Sequence, residues 1–385
     1  MFLTEKTIDF MRTHRQDFHQ NPELGFQEIR TKQKIVKALT EMGIEVSEGV
    51  GVTGILSNGS GSGMIGLRAD MDALPISETT NLPYASQKDE IMHACGHDGH
   101  MAMLLGAARH LSSKRNFDGT VVFIFQPNEE NGLGSQAMLD EGFLSRFPLD
   151  EVYALHNLPG APLGQLSTRV GEICASESLF ELKITARGGH SAMPHKGVDA
   201  IIVGSELALS LQTIISRKLP PEAGAVLSIT EFMTNGQRNI LPGSGLLKGD
   251  TRAFSKADRK AIEFYIRQIA SGISQAHDVD IQVTFETEFI ETINAPTPTE
   301  AACRTASKLG YDLIPDRQPM SFSEDFANFS KLVPGSFLLL GNGTVGAASK
   351  PLHSSEYDFN DDALPIGANF WVNLVSDRLP LKDCA

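Results

Sequence analysis

The stretch Thr120-Val121-Val122-Phe123-Ile124-Phe125-Gln126-Pro127-Asn128-Glu129-Glu130 decides the reading of the fold. Its apolar, β-branched first half predicts a buried strand over 120–125, and Pro127 ends it. Glu129 and Glu130 then stand at the carboxyl edge of a strand, where α/β sheets build their sites. Adjacent side chains there point in different directions, so one carboxylate can bind a metal while the other faces the reacting water. A solvated acidic turn is the commoner fate of such a pair, so its neighbours have to decide.

Working outward, helical spacing over 7–20 and 27–42, split by Asn21-Pro22, precedes short apolar strands near 53–56 and 64–68. A helix over 98–111 leads into the opening strand, and a helix near 133–141 and a strand over 151–155 follow it. Alternation of this kind predicts a layered α/β domain. After Gly171 the order becomes strand 179–186, helix 198–215, strands 225–232 and 245–252, helix 257–274 and strand 280–285. That is the β-α-β-β-α-β pattern of a ferredoxin-like unit. Apolar patterning resumes from Pro296, with a strand over 336–340 and an amphipathic run over 363–379. The second domain is therefore expected to be inserted at 177–290, between catalytic parts at 1–176 and 291–385. Gly59 to Gly63 reads as a hairpin-sized flexible loop.

At 385 residues the chain exceeds what one hydrophobic core usually supports, and its 41% apolar fraction can fill two. Lys and Arg number 33 against 47 Asp and Glu, a net charge of -14 that repels nucleic acid and anionic membranes. Small molecules are the expected partners. The first twenty residues show no export signal, and the longest apolar runs fall short of the roughly 20 residues of a spanning helix. Cys95, Cys174, Cys303 and Cys384 are scattered, which argues against a disulfide framework and for the reducing cytoplasm. Cys384 reads as an idle surface thiol.

His93-Ala94-Cys95-Gly96-His97-Asp98-Gly99-His100 crowds thiolate and imidazole donors into a turn that opens a helix. These donors favour zinc-like ions over magnesium or calcium. Strand 151–155 delivers His156 in the same way, and His353 follows the strand at 336–340. Ligand-type residues at several separate strand ends point to one metal site. Two other readings fail: Gly49 to Gly54 matches the dinucleotide fingerprint but opens no helix, and Ser191 lacks a nucleophile elbow. Cys95 as a nucleophile assisted by His97 stays open, as does a catalytically silent metal-binding scaffold.

Five further stretches complete a pattern that runs almost the length of the chain. They are His19-Gln20-Asn21-Pro22-Glu23-Leu24-Gly25, Gly66 to Pro75 with Arg68-Ala69-Asp70-Met71-Asp72, Ala154-Leu155-His156-Asn157, Gly188-Gly189-His190-Ser191, and Leu352-His353. With His93 to His100 and Phe125 to Glu130, the chain resembles the M20 metallopeptidase and aminoacylase superfamily, in its hippurate hydrolase and auxin-conjugate hydrolase branch. The resemblance implies a zinc-peptidase-like α/β/α catalytic domain with an inserted ferredoxin-like α+β lid, through which a homodimer forms. It implies two divalent ions, zinc first and manganese, nickel or cobalt as options. Cys95 would bridge them, His97 and His156 completing one ion and Glu130 and His353 the other. Glu129 would be the general base, taking a proton from water and passing it to the leaving nitrogen. Asp72 would hold a ligand imidazole in its tautomer.

Where other branches carry a histidine ligand, this chain has Asp70, and His97 would take over that role. Asn128 and 131–134 also depart from many relatives, which have a smaller residue and more glycine there. The resemblance implies that His190 reaches a substrate carbonyl or carboxylate, and Asn239 and Arg252 are further candidates for substrate binding, since amide and guanidinium groups recognise carboxylates. A half-buried turn and a structural salt bridge are the ordinary alternatives for His190 and Arg252. The implied reaction is hydrolysis of N-acyl amino acids, with a dipeptidase or carboxypeptidase as the alternative.

Overall fold

In the computed structural model, which describes residues 3–381, the strand that opened the reading has no exposed surface from Val121 to Phe125. Such a strand needs cover on both faces, so helices must lie above and below it. From the amino end the chain forms helices α1 (Glu5–Gln20) and α2 (Ile29–Glu41), then strands β1 (Glu45–Glu48), β2 (Val52–Asn58) and β3 (Met64–Asp70). Helix α3 (His97–Lys114), β4 (Gly119–Gln126), α4 (Gly134–Asp140), β5 (Glu151–Pro159) and β6 (Leu166–Ser167) follow. Next come β7 (Ser176–Thr185), α5 (Ala200–Thr213), β8 (Val226–Thr234), β9 (Ser244–Ala253), α6 (Lys256–His277) and β10 (Asp280–Phe289). The chain closes with α7 (Pro296–Lys308), β11 (Leu313–Ile314), β12 (Gly335–Gly343) and α8 (Leu364–Arg378).

Two compact units result. One ends at Ile173, resumes over Ile293–Gln318 and continues from Asp325; the other is Cys174–Thr292 with Pro319–Glu324. The first unit holds an eight-stranded sheet in the order β1-β2-β4-β3-β5-β12-β6-β11. Its centre, β4-β3-β5-β12, is parallel, so these carboxyl ends share one edge. Helix α3 is the spine of this unit, with nearly every residue from His97 to Leu111 buried.

Three local expectations change. β5 continues past Leu155 to Pro159 because β12 pairs alongside it, Leu339 opposite His156 and Leu340 opposite Asn157. His156 therefore sits inside a strand rather than after one. Gly59 to Gly63 is no hairpin, since β2 and β3 both pair with β4 and not with each other. That loop is pinned by Asp118, which accepts the backbone N–H groups of Ser60 at 2.7 Å and Gly61 at 2.6 Å. Helix α3 starts at His97 and not at Asp98, because left-handed Gly96 (φ 92°) places the turn immediately before it.

The second unit is a four-stranded antiparallel sheet in the order β8-β9-β7-β10, the ferredoxin-like arrangement. Along β7 burial alternates, with Phe180, Leu182 and Ile184 inside, so one face meets the helices. Ala200–Lys218 is long and apolar enough by composition to cross a membrane. Val203, Leu207, Leu211 and Ile214 of this segment are buried in the unit's own core. Cys95, Cys174 and Cys303 are free thiols, and Cys384 lies outside the described residues.

A buried charged knot fastens α1 to the first unit. Arg15, wholly buried, donates to Asp361 at 2.7 Å and Asp358 at 2.9 Å under the ring of Tyr84. His19 binds Asp98 through Nδ1 at 2.8 Å and Glu78 through Nε2 at 3.3 Å. Burial opposes charging His19, but bonds to the two carboxylates outweigh it and lift the imidazole to about 9. Its unfolded value is near 6.5, so this stabilisation is complete below that pH and is lost as pH rises through about 9. The linked free energy is on the order of 3 kcal/mol. Thermal denaturation should therefore show the midpoint falling between pH 7 and 9.5, with a flatter profile for His19→Gln; identical slopes for the two proteins would remove His19 from this account.

Candidate metal centre

The shared edge of the parallel strands collects donors from four places. β4 runs into the turn that carries Glu129 and Glu130, β3 ends at Asp70 two residues before Asp72, β5 brings His156, and the loop after β12 brings His353. Cys95 and His97 flank Gly96 at the start of α3. Gly96 is required there: a Cβ would lie 2.2 Å from Asn157 Oδ1 and 2.6 Å from the Tyr357 hydroxyl.

These residues converge. Ligand atoms of Cys95, Glu130 and His353 lie within 4.8 Å of one another, as do those of His97, Glu129 and Glu130, and those of Asp70, His97, His100 and His156. Cys95 Sγ is 3.5 Å from His156 Nε2, and His353 Nε2 is 3.4 Å from Glu130 Oε2. His97 Nε2 stands 3.8 Å from both Asp70 Oδ2 and Glu130 Oε1. His97 Nε2 and Glu130 Oε1 are buried without a hydrogen-bond partner. Buried polar atoms are nearly always paired, so a lone pair and a carboxylate oxygen left facing each other fit a cation between them.

Hydrogen bonds set the tautomers that such a cation needs. His97 Nδ1 donates to the Asp72 carbonyl at 2.9 Å, with Asp72 Oδ1 at 3.4 Å, which turns the Nε2 lone pair inward. His156 Nδ1 donates to the Asn157 carbonyl at 2.8 Å and leaves Nε2 facing Cys95. The Asp72 carboxylate also accepts the backbone N–H of Glu130 at 3.0 Å, so one residue steadies two of the converging residues. His100 is different. Its Nδ1 meets Asp70 at 2.6 Å and its Nε2 takes the backbone N–H of Asn157 at 2.9 Å, so both nitrogens are spent.

The electrostatics match this geometry. Burial and the carboxylates of Glu130, Glu129 and Asp70 push the Cys95 thiol well above its ordinary range. Burial and the nearby His100 ring hold His156 well below its usual value. Burial opposes charge on His97, but Asp70, Asp72 and Glu130 raise it to about 10. His156 is thus neutral already, whereas a Cys95 thiolate and a neutral His97 would arise when cations replace their protons.

Neither His100 nor Asp70 has a task that spacing alone reveals. Asp70 accepts Arg68 Nη1 at 2.6 Å and holds His100, which makes it the link between a buried guanidinium and the converging imidazoles. Arg68 also reaches Asp325 at 3.0 Å and Gln126 at 2.8 Å. The i, i+3 spacing of His97 and His100 on one helix was the available signal for a shared face. Nothing local signals Asp325, which lies 257 residues from Arg68.

In the second unit His190 and Asn239 lie together. Gly189–His190 pairs with Ile240–Leu241, and Ser191 N–H donates to the Asn239 carbonyl at 3.1 Å. The His190 side chain is exposed. Arg252 is elsewhere, eight residues along β9 from Ser244, roughly 27 Å at about 3.4 Å per residue. It is held by Glu177 at 2.5 Å, Asp250 at 2.8 Å and Ser323 at 2.9 Å, so its guanidinium is already neutralised within the unit.

The sequence profile of peptidase family M20/M25/M40 matches residues 66–377. The hippurate hydrolase of Campylobacter jejuni is 37% identical over 370 residues, covering 94% of each chain. The N-acetylcysteine deacetylase of Bacillus subtilis is 34% identical, again over 94% of each. A crystal structure of a dinuclear metal-binding M20 peptidase from Bacillus subtilis superposes with a TM-score of 0.85 at 31% identity, covering 98% of this chain and 99% of that one. With a family match over most of its length and relatives above 30% identity along nearly all of it, the chain belongs to peptidase family M20/M25/M40 and is a hydrolase.

Proposed function

We propose that the protein hydrolyses the amide bond of N-acyl amino acids, with Cys95, His97, Glu130, His156 and His353 holding two divalent cations and Glu129 as general base. The observation that carries this reading is the buried, unpartnered pair His97 Nε2 and Glu130 Oε1, 3.8 Å apart, beside a second carboxylate. Hippurate and N-acetylcysteine, named in two relatives, are both amino acids acylated on nitrogen. Zinc fits the thiolate and imidazole donors best, and manganese, nickel or cobalt fit the carboxylate share.

Two divalent cations bound there would polarise the acyl carbonyl and acidify water. Glu129, 6% exposed, is close enough to the converging donors to take a proton from the attacking water. The same carboxyl group then passes that proton to the amide nitrogen as the C–N bond breaks. Asp72 keeps His97 and the Glu130 backbone in place throughout. His190 and Asn239, on the ribbon of the second unit, are assigned to the substrate's polar groups. Arg252 is assigned a structural role, because Glu177 and Asp250 already occupy it.

The second unit also supports a homodimer. β8 is an edge strand that exposes Phe232 and Met233, and α5 exposes Ile201, Ile202 and Leu209. An apolar edge of this kind is left open when a second copy covers it.

Glu129→Gln should lower kcat by at least about 100-fold while elemental analysis still finds two metal ions per chain; turnover near that of the unaltered enzyme would refute the assignment. Chelation should abolish hydrolysis of N-acetylmethionine, hippurate or an indoleacetyl amino acid, and added zinc or manganese should restore it. Activity that survives chelation would instead favour Cys95 as a nucleophile, and faster cleavage of dipeptides than of acylated amino acids would move the substrate class. Light scattering should give twice the 41.7 kDa chain mass, reduced to one copy by Leu209→Glu with Met233→Glu; a monomer at the outset rules the dimer out.

A further inference from the structure

The turn that carries Glu129 has no helix or strand of its own, so something else must fix it. Its backbone groups are buried and have to find partners. Glu130 N–H is taken by Asp72, Gly132 N–H by the Glu129 carbonyl at 2.8 Å, and Gly134 N–H by the Asn128 carbonyl at 3.1 Å. Asn128 N–H goes outside this set. It donates at 2.9 Å to Glu28 Oε1, a hundred residues earlier in the chain.

Glu28 is 2% exposed and occupies the N-cap position of α2. A side-chain acceptor at that position ordinarily serves the helix's own first N–H groups. Here it does not. Glu23 serves them instead, accepting Arg30 N–H at 3.1 Å and Thr31 N–H at 2.9 Å, which leaves the Glu28 carboxylate for the turn. The contact is reinforced by shape: a Cβ on Gly25 would lie 1.7 Å from Asn128 Oδ1, so the Asn128 side chain rests on the bare backbone of Gly25. Asn128 itself has φ 48°, a left-handed conformation that asparagine adopts at modest cost.

We infer that Glu28 is a positioning residue for Glu129, its carboxylate fixing the backbone of Asn128 as Asp72 fixes that of Glu130, so that the general base is suspended between two carboxylate clamps. The inference rests on the proposed role of Glu129. A displacement of about 1 Å at a reacting group costs on the order of 100-fold in rate, so a loose turn is read in kcat and not in binding.

The test compares Glu28→Gln, Glu28→Asp, Glu28→Ala and Glu129→Gln in the full-length metal-loaded enzyme on one acylated amino acid. Gln keeps an acceptor at the same reach, so kcat should stay within about threefold. Asp withdraws the acceptor by a methylene and Ala removes it, so kcat should fall at least tenfold with KM within twofold and two metals still bound. Should Ala fail to fold, the Gln and Asp pair decides. Asp and Ala variants with unaltered kcat, or a Gln variant as impaired as Ala, would overturn the role. Glu129→Gln separates the two ideas: if it stays active the general-base reading fails, whereas if it is dead and Glu28→Ala is fully active only the clamp fails.

Discussion

Buried negative charge crowded at one sheet edge is the constraint from which the rest of the site follows. Glu129, Glu130, Asp70 and Asp72 lie at one sheet edge with Cys95 among them. The Arg68 guanidinium reaches Asp70 and Asp325. Crowded buried carboxylates are costly to keep charged, which favours cations among them. The pushed-up Cys95 thiol expresses the same crowding of negative charge.

Given that constraint, the surrounding hydrogen bonds have one task, which is to decide where each lone pair points. His97 and His156 both give their Nδ1 protons to backbone carbonyls, that of Asp72 just beyond β3 and that of Asn157 within β5. A backbone carbonyl swings less freely than a side-chain acceptor. His100, whose two nitrogens are consumed by Asp70 and Asn157, packs 4.5 Å from His156 ring to ring and limits its tilt. The imidazoles are thus aimed before any ion arrives, which reduces the ordering cost of binding.

How much of this was legible in the sequence depends on how local each cause is. Strand β4 and the order of elements in the second unit follow from apolar runs and turns, and Cys95, His97 and Glu130 stand at a readable strand end or helix start, whereas His156 lies within β5 and His353 in the loop after β12. The length of β5 was not legible, because it is set by β12 pairing beside it from across the inserted unit. The same holds for the 59–63 loop, whose apparent hairpin is cancelled by β4 coming between β2 and β3. Arg252 looked like a carboxylate reader until Glu177 appeared opposite it on β7, a register that no spacing reveals. Glu28 is the extreme case: as a sequence it is one more acid before a helix, and only the fold shows its carboxylate turned away from that helix.

Asn128 answers a backbone demand and fills a space at the same time. The turn after β4 requires a left-handed residue there, a conformation open to glycine and, at modest cost, to asparagine. The asparagine side chain also fills the space above Gly25, with Oδ1 accepting Asn131 Nδ2 at 2.5 Å. Gly134 then has to approach Pro127 closely, where a Cβ would lie 1.5 Å from the carbonyl oxygen, so no larger residue can close the turn. Rigidity in this turn is therefore supplied by Asn128 and its contacts, Gly25 beneath, Asn131 beside it and Glu28 at the amide.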